Sequence, residues 1–165
     1  MNMKGQYFSF DAVIATVIMV LAFSSLVAYW HGAQTVVEER NSNRLADAYR
    51  MAESLLSPGA PGNWEDGAIG NVRQLGISRG YGNELDEGKV DALVAFSQDD
   101  YEGTGRLLRA GGDYRIVIEY TMPMMAPVAE IGGNFPENAD YVVVANRGIT
   151  YKGKPGRMRV FLWKQ

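Results

Sequence analysis

Few side chains in this sequence have the chemistry of a reactive site, and their placement argues against one. There is a single histidine, His31, beside Gly32 at the end of an apolar run. A lone imidazole there reads as an interfacial side chain rather than a base or a metal ligand. Acids gather at Glu84, Asp86, Glu87, Asp99 and Asp100. Their spacing does not fit a calcium-binding loop, whereas acids at helix starts are expected from the partial positive charge of the helix terminus. Cysteine is absent, which excludes thiolate chemistry, disulfides and cysteine metal sites. No nucleophile-elbow, zinc-protease, phosphate-loop or dinucleotide signature occurs. The glycine-rich stretches "GGDY" and "GYGNELDEG" do not join a strand to a helix as a phosphate loop does. The expectation is no catalytic residue, no cofactor and no metal, hence not an enzyme.

One acid is out of place. Asp11 stands at the head of "AVIATVIMVLAFSSLVAYW", in which only Thr16, Ser24, Ser25 and the amphipathic Tyr29 interrupt an apolar run. From Ala12 to Trp30 that is about 19 residues, enough for a helix to cross the ~30 Å hydrocarbon core of a bilayer. Tyr29 and Trp30 close the run, where amphipathic rings favour the membrane interface. Lys4 precedes it and Glu38, Glu39 and Arg40 follow. The positive-inside bias therefore places the N-terminus in the cytoplasm and the remainder outside. A removable secretory signal would end near Ala22-Phe23-Ser24, but the apolar run continues beyond that point, which favours retention.

The elements that carry these residues follow from the patterning. No proline occurs between Met1 and Ser57, and Leu45, Ala48, Tyr49, Ala52, Leu55 and Leu56 recur at three- and four-residue intervals. That spacing predicts a continued helix with one apolar face, ended by Ser57-Pro58-Gly59. Trp64 is expected to anchor the following Pro/Gly-rich connection on a core. "NELDEGKVDALVAF" predicts a helix capped by Asn83, and Ser97-x-x-Asp100 predicts the start of another that ends at Gly111-Gly112. "YRIVIEY" alternates with period two, placing Tyr114, Ile116, Ile118 and Tyr120 on one strand face. "YVVVANRGITY" and "RMRVFLW", separated by "KGKPG", read as an antiparallel hairpin. The twenty residues of "TMPMMAPVAEIGGNFPENAD" are long for a structureless connection and are expected to be a surface excursion or to hold a further strand.

Composition bounds the rest. The chain has 165 residues, 47% hydrophobic and 21% charged, with a formal charge of -3. That length is one domain plus an appendage, and the charge gives no basis for nucleic-acid binding. The expected fold class is α+β: a long N-terminal hydrophobic and amphipathic helix packed on a small antiparallel sheet with short helices. The expected organisation is a leader at 1–5, a transmembrane helix at 6–31, its amphipathic continuation at 32–57 and an extracytoplasmic head at 58–165.

The opening "MKGQYFSFDAVIATVIMVL" resembles the leader of archaeal type IV pilin-like proteins, which carry a class III, prepilin-type signal peptide. "LLSPGAPGNWEDG", "GKVDALVAF", "YEGTGRLL" and the C-terminal "VFLW" are similar to head regions of such proteins, so the resemblance covers most of the chain. It implies that Lys4 and Gly5 are recognised by a prepilin peptidase and that Gln6 becomes the first mature residue. Members of that family often have a glutamate at the fifth mature position. Here Phe10 occupies it and Asp11 follows, an offset of about 100° around a helix. By the resemblance, Asp11 pairs with the N-terminal amine of a neighbouring subunit. By local physics alone, Ser9 caps the helix and Asp11 complements its dipole, and the two roles are compatible. Val13, Ala15, Val17 and Val20 are small or β-branched and suit close helix packing.

The implied function is a structural pilin-like subunit of an archaeal cell-surface filament, a homopolymer whose partners are the membrane, the prepilin peptidase and the pilus assembly machinery. The alternative is a membrane-anchored extracytoplasmic module for binding or adhesion. An exported enzyme is a third reading with no residue to carry it.

Overall fold

With no proline to stop it, one helix takes up much of the first third of the chain: α1 covers Lys4–Leu55. The computed structural model describes residues 4–67, 69–121, 127–135, 138, 139 and 141–164, the side chains of 4–9, 36–42 and 69 excepted. The expected roles of the side chains of Lys4, Gln6, Ser9, Glu38, Glu39 and Arg40 thus lie outside the described residues. The chain divides into two units, Met1–Ser42 and Asn43–Gln165. The last turns of α1 therefore belong with the second unit, the head.

In the head unit the fold is α+β. Two 3₁₀ turns (Trp64–Asp66 and Ile69–Asn71) precede α2 (Glu87–Asp99) and α3 (Tyr101–Leu108). Then come strands β1 (Asp113–Tyr120), β2 (Pro127–Gly132), β3 (Tyr141–Tyr151) and β4 (Lys154–Lys164). They form one antiparallel sheet in the order β2-β1-β4-β3. The long excursion does hold a strand, β2, which pairs Ile131 with Ile116 at the sheet edge.

Period-two alternation sends Tyr114, Ile116 and Ile118 of β1 and Met158, Val160 and Leu162 of β4 to the same face, where they are buried. Ala48, Met51, Ala52, Leu55 and Leu56 of α1 share their hydrophobic cluster. This face differs from the expected one in two respects. Met51 was not foreseen, and Leu45 and Tyr49 are exposed. At 100° per residue the buried positions 48, 51, 52, 55 and 56 span an arc of about 140°; Tyr49 falls just outside it, and Leu45 lies on its side but before Ala48, where burial begins. Tyr49 instead carries the Arg147 guanidinium over its ring at 4.6 Å. Trp64 is completely buried, as expected, and its indole Nε1–H donates to the Gly76 carbonyl at 2.7 Å.

Four boundaries need correction. Helix α2 starts at Glu87 with Asp86 as its cap, not Asn83. Asn83 is instead held beside β3, its carbonyl accepting the Thr150 N–H at 2.7 Å. Ser97 does not start a helix; it is buried inside α2. Asp100 separates the two helices, because its carboxylate accepts the Gly103 N–H at 2.7 Å and its φ and ψ of -136° and 82° are not helical. Helix α3 ends earlier than expected, at Leu108, with Arg109 in the left-handed conformation. The β3–β4 connection is also shorter than "KGKPG". Lys152 and Gly153 have φ of 50° and 71°, which makes the two-residue turn whose twist matches a hairpin. Lys154, Pro155 and Gly156 are already in β4, and Pro155 lies just beyond the last β1–β4 pair, Tyr120 opposite Gly156.

Candidate functional site

The segment Phe10–Thr35 of α1 is long and apolar enough to cross a membrane. Within this chain nothing covers it: Val13, Val17, Val20, Leu21, Leu26 and Val27 are each more than half exposed. Large side chains left in water at about 1.5–3 kcal/mol each would be a heavy load for a protein stable by ~5–15 kcal/mol. An apolar surrounding, lipid or other helices, removes that load. The serine and threonine hydroxyls in the segment are already satisfied by the helix itself. Thr16 donates to the Ala12 carbonyl, Ser24 to Val20 and Ser25 to Leu21, each at 2.8 Å, and Thr35 donates to Gly32 at 2.9 Å. Only an internally satisfied helix tolerates hydrocarbon around it.

At about 100° per residue the expected packing residues do not form one stripe. Val13, Val17 and Val20 lie within ~60° of one another. Ala15 lies about half a turn away, on the side of Asp11, Ile18 and Ala22. Two faces result, one of valines and one of small residues headed by an acid. Asp11 is within a helix that begins at Lys4, and its carboxylate makes no hydrogen bond or ion pair among the described residues. Ser9 likewise falls within α1. With no breaker ahead of it, the helix propagates back to Lys4. Tyr29 and Trp30 are exposed at the far end, where an interface would receive them. Lys4, Gly5 and Gln6 fall in the first turn of α1.

Four of the five gathered acids hold the head's own structure, while Asp99 makes no hydrogen bond or ion pair among the described residues. Asp86 and Asp100 accept backbone N–H groups at the starts of α2 and α3. Glu84 pairs with Arg79 at 3.1 Å, and Glu87 pairs with Lys152 at 3.1 Å, which raises the Lys152 pKa. Among the described residues no three of His, Asp or Glu gather as a metal-binding group.

Two buried polar groups escaped sequence reading. Glu119, 2% exposed on the far face of the sheet, lies between Arg157 and Arg159, its carboxylate 3.0 Å from the Arg159 guanidinium. The signal was present in the alternation of "RMR" opposite "IEY", since Glu119 faces Arg157 across β1 and β4. Lys89 is buried in α2 and its ammonium donates to the carbonyls of Pro58 at 2.8 Å and Gly62 at 2.6 Å. No local pattern announces a contact that spans 27 residues or more.

Compared with family models, curated proteins and solved structures, the chain matches none of them.

Proposed function

We propose that this chain is a pilin-like structural subunit of a cell-surface filament. The observation that carries the reading is the Phe10–Thr35 segment. It is exposed on all sides within its own chain, it satisfies its own hydroxyls, and it bears one unpartnered acid at its start. The buried core of the second unit begins at Ala48. A helix of that kind functions among other apolar surfaces, first lipid and then identical helices.

Cleavage between Gly5 and Gln6 removes Lys4 and creates a new amine five residues before Asp11. In a packed bundle Asp11 meets that amine on a neighbour, and the ion pair sets the axial register in a medium where an unpaired charge is strongly disfavoured. Chain polarity leaves the head outside the cell. The head supplies the outer surface of the filament and performs no catalysis.

Intact mass and N-terminal peptide of the protein from its native cells test this. A start at Gln6 together with recovery in sheared filaments is expected. A start at Met1 or Met3 with only monomers in detergent would replace the filament subunit by a permanently anchored binding module.

A further inference from the structure

The head has a groove of about 580 Å³, within the ~300–1,000 Å³ typical of small-ligand clefts, between the last turns of α1, the 73–83 segment and the end of α3. Its charges are unequally satisfied. Asp47 pairs with Arg50 at 2.8 Å, and Glu53 pairs with Arg147 at 2.6 Å. The guanidinium groups of Arg73 and Arg109 have no partner among the described residues. The groove therefore holds two cationic forks with nothing to pair them, in a chain whose overall charge is -3.

Arg109 occupies its place against a conformational penalty. It is the left-handed residue that ends α3, with φ of 54° and ψ of 44°. Glycine takes that conformation without steric conflict, while other residues pay on the order of 1–2 kcal/mol. Tyr81 is also unusual: it is 92% exposed, the most open large side chain in the head. Its backbone is nonetheless fixed. The Ser78 hydroxyl donates to the carbonyls of Gly82 and Glu84 at 2.9 and 2.8 Å, and the Gly82 N–H donates to Leu56. An aromatic ring with a free face, carried on a turn held through its neighbours, is a stacking platform. Between them Gln74, Ser54 and Ser57 form a hydrogen-bonded polar lining, with the Gln74 amide donating to both hydroxyls at 3.2 and 3.1 Å.

From these features we infer that the groove binds a carboxylated saccharide. The Arg73 and Arg109 forks match planar carboxylates, the Tyr81 ring stacks on the apolar face of a sugar, and the Gln74 side-chain carbonyl, its amide N–H groups held by Ser54 and Ser57, accepts from a sugar hydroxyl. An acidic peptide would use the arginines but not the open ring with its polar neighbours. The inference concerns the head alone and holds whether or not the leader is removed.

The test is calorimetric titration of the full chain in detergent micelles with a galacturonate trisaccharide, its neutral galactose counterpart and hexaglutamate. The galacturonate is expected to bind at least tenfold more tightly than either comparator. Tyr81→Ala and Arg109→Gly should each weaken it at least tenfold. Arg109→Gly removes the side chain while relieving the left-handed residue, so its Tm should stay level or rise. Arg73→Gln is expected to act like Arg109→Gly on binding and to leave the fold intact. Lack of galacturonate binding overturns the inference, as does equal binding of hexaglutamate with no effect of Tyr81→Ala. A fall in Tm for Arg109→Gly also overturns it, because Arg109 would then be a structural residue.

Discussion

Tyr101 and Tyr114 stack face to face, with ring centroids 4.8 Å apart and planes within 3° of parallel. The Tyr101 hydroxyl donates to Asp113 at 3.1 Å and accepts the Tyr114 backbone N–H at 3.1 Å. The Tyr114 hydroxyl in turn lies 3.3 Å from the Tyr101 carbonyl. Helix α3 is thereby fixed to the start of β1 by a stack and by hydrogen bonds in both directions. Tyr101→Phe keeps the stack and leaves the Tyr114 N–H without its partner. A loss of about 1–3 kcal/mol is expected in urea unfolding.

The same pair makes stability depend on alkaline pH. Burial pushes the Tyr101 pKa up to about 12, with Asp113 adding to the rise and the Tyr114 N–H opposing it. Burial also raises Tyr114 and Tyr151. A folded-state pKa above the unfolded value means that the folded chain keeps a proton the unfolded chain has released. The contribution is whole below about pH 10 and is lost as pH rises toward 12. Unfolding midpoints measured at about pH 8 and pH 11 should fall with pH, and Tyr101→Phe should shrink the fall. An unchanged slope in that variant would remove Tyr101 from the account.

Lys89 fixes the loop after α1. Lys89→Met keeps most of the side-chain volume but leaves the Pro58 and Gly62 carbonyls without their donor. A loss of about 1–3 kcal/mol is expected, together with faster proteolysis near residues 58–62. Equal stability and unchanged cutting would show that water replaces the ammonium without cost.

Two glycines should respond in opposite ways. At Gly76 an added Cβ meets the Ser57 carbonyl and hydroxyl, and it comes within 2.5 Å of the Gly59 nitrogen, so backbone must move. Gly76→Ala is expected to lower stability by about 1–3 kcal/mol or more. At Gly32, in α1, nothing lies within 4 Å of the added atom. Gly32→Ala is expected to raise helicity in detergent, in line with the ~1 kcal/mol helix preference of alanine. Thermal melts of the two variants side by side decide the point.

The assembly reading makes its own demands. Gly5→Leu should block processing and leave an unshortened chain in the membrane, which intact mass reads directly. Asp11→Ala should reduce filament yield at least several-fold with membrane insertion unchanged, because loss of the ion pair acts only where helices meet. Normal filament yield from Asp11→Ala would confine Asp11 to a local role in the helix.

The sequence alone determined the elements whose information is local. An uninterrupted apolar run fixes a helix long enough for a bilayer, because length and composition are all that property requires. Alternation in "YRIVIEY", "YVVVANRGITY" and "RMRVFLW" fixes three strands. Glu119, Lys89 and the stripe of α1 that is buried belong to tertiary structure. Each depends on what is packed opposite it, and the opposing groups lie tens of residues away in the chain. The helix boundaries near Asn83 and Ser97 moved for the same reason. Asn83 is held by a backbone bond to β3, and the Ser97 hydroxyl accepts the Gly132 N–H at 2.9 Å, so both local capping signals lost to long-range partners. The 73–83 groove is the fullest case. Its unpaired arginines and open tyrosine come from two separate segments, 73–83 and the end of α3, and only the fold brings them to one place.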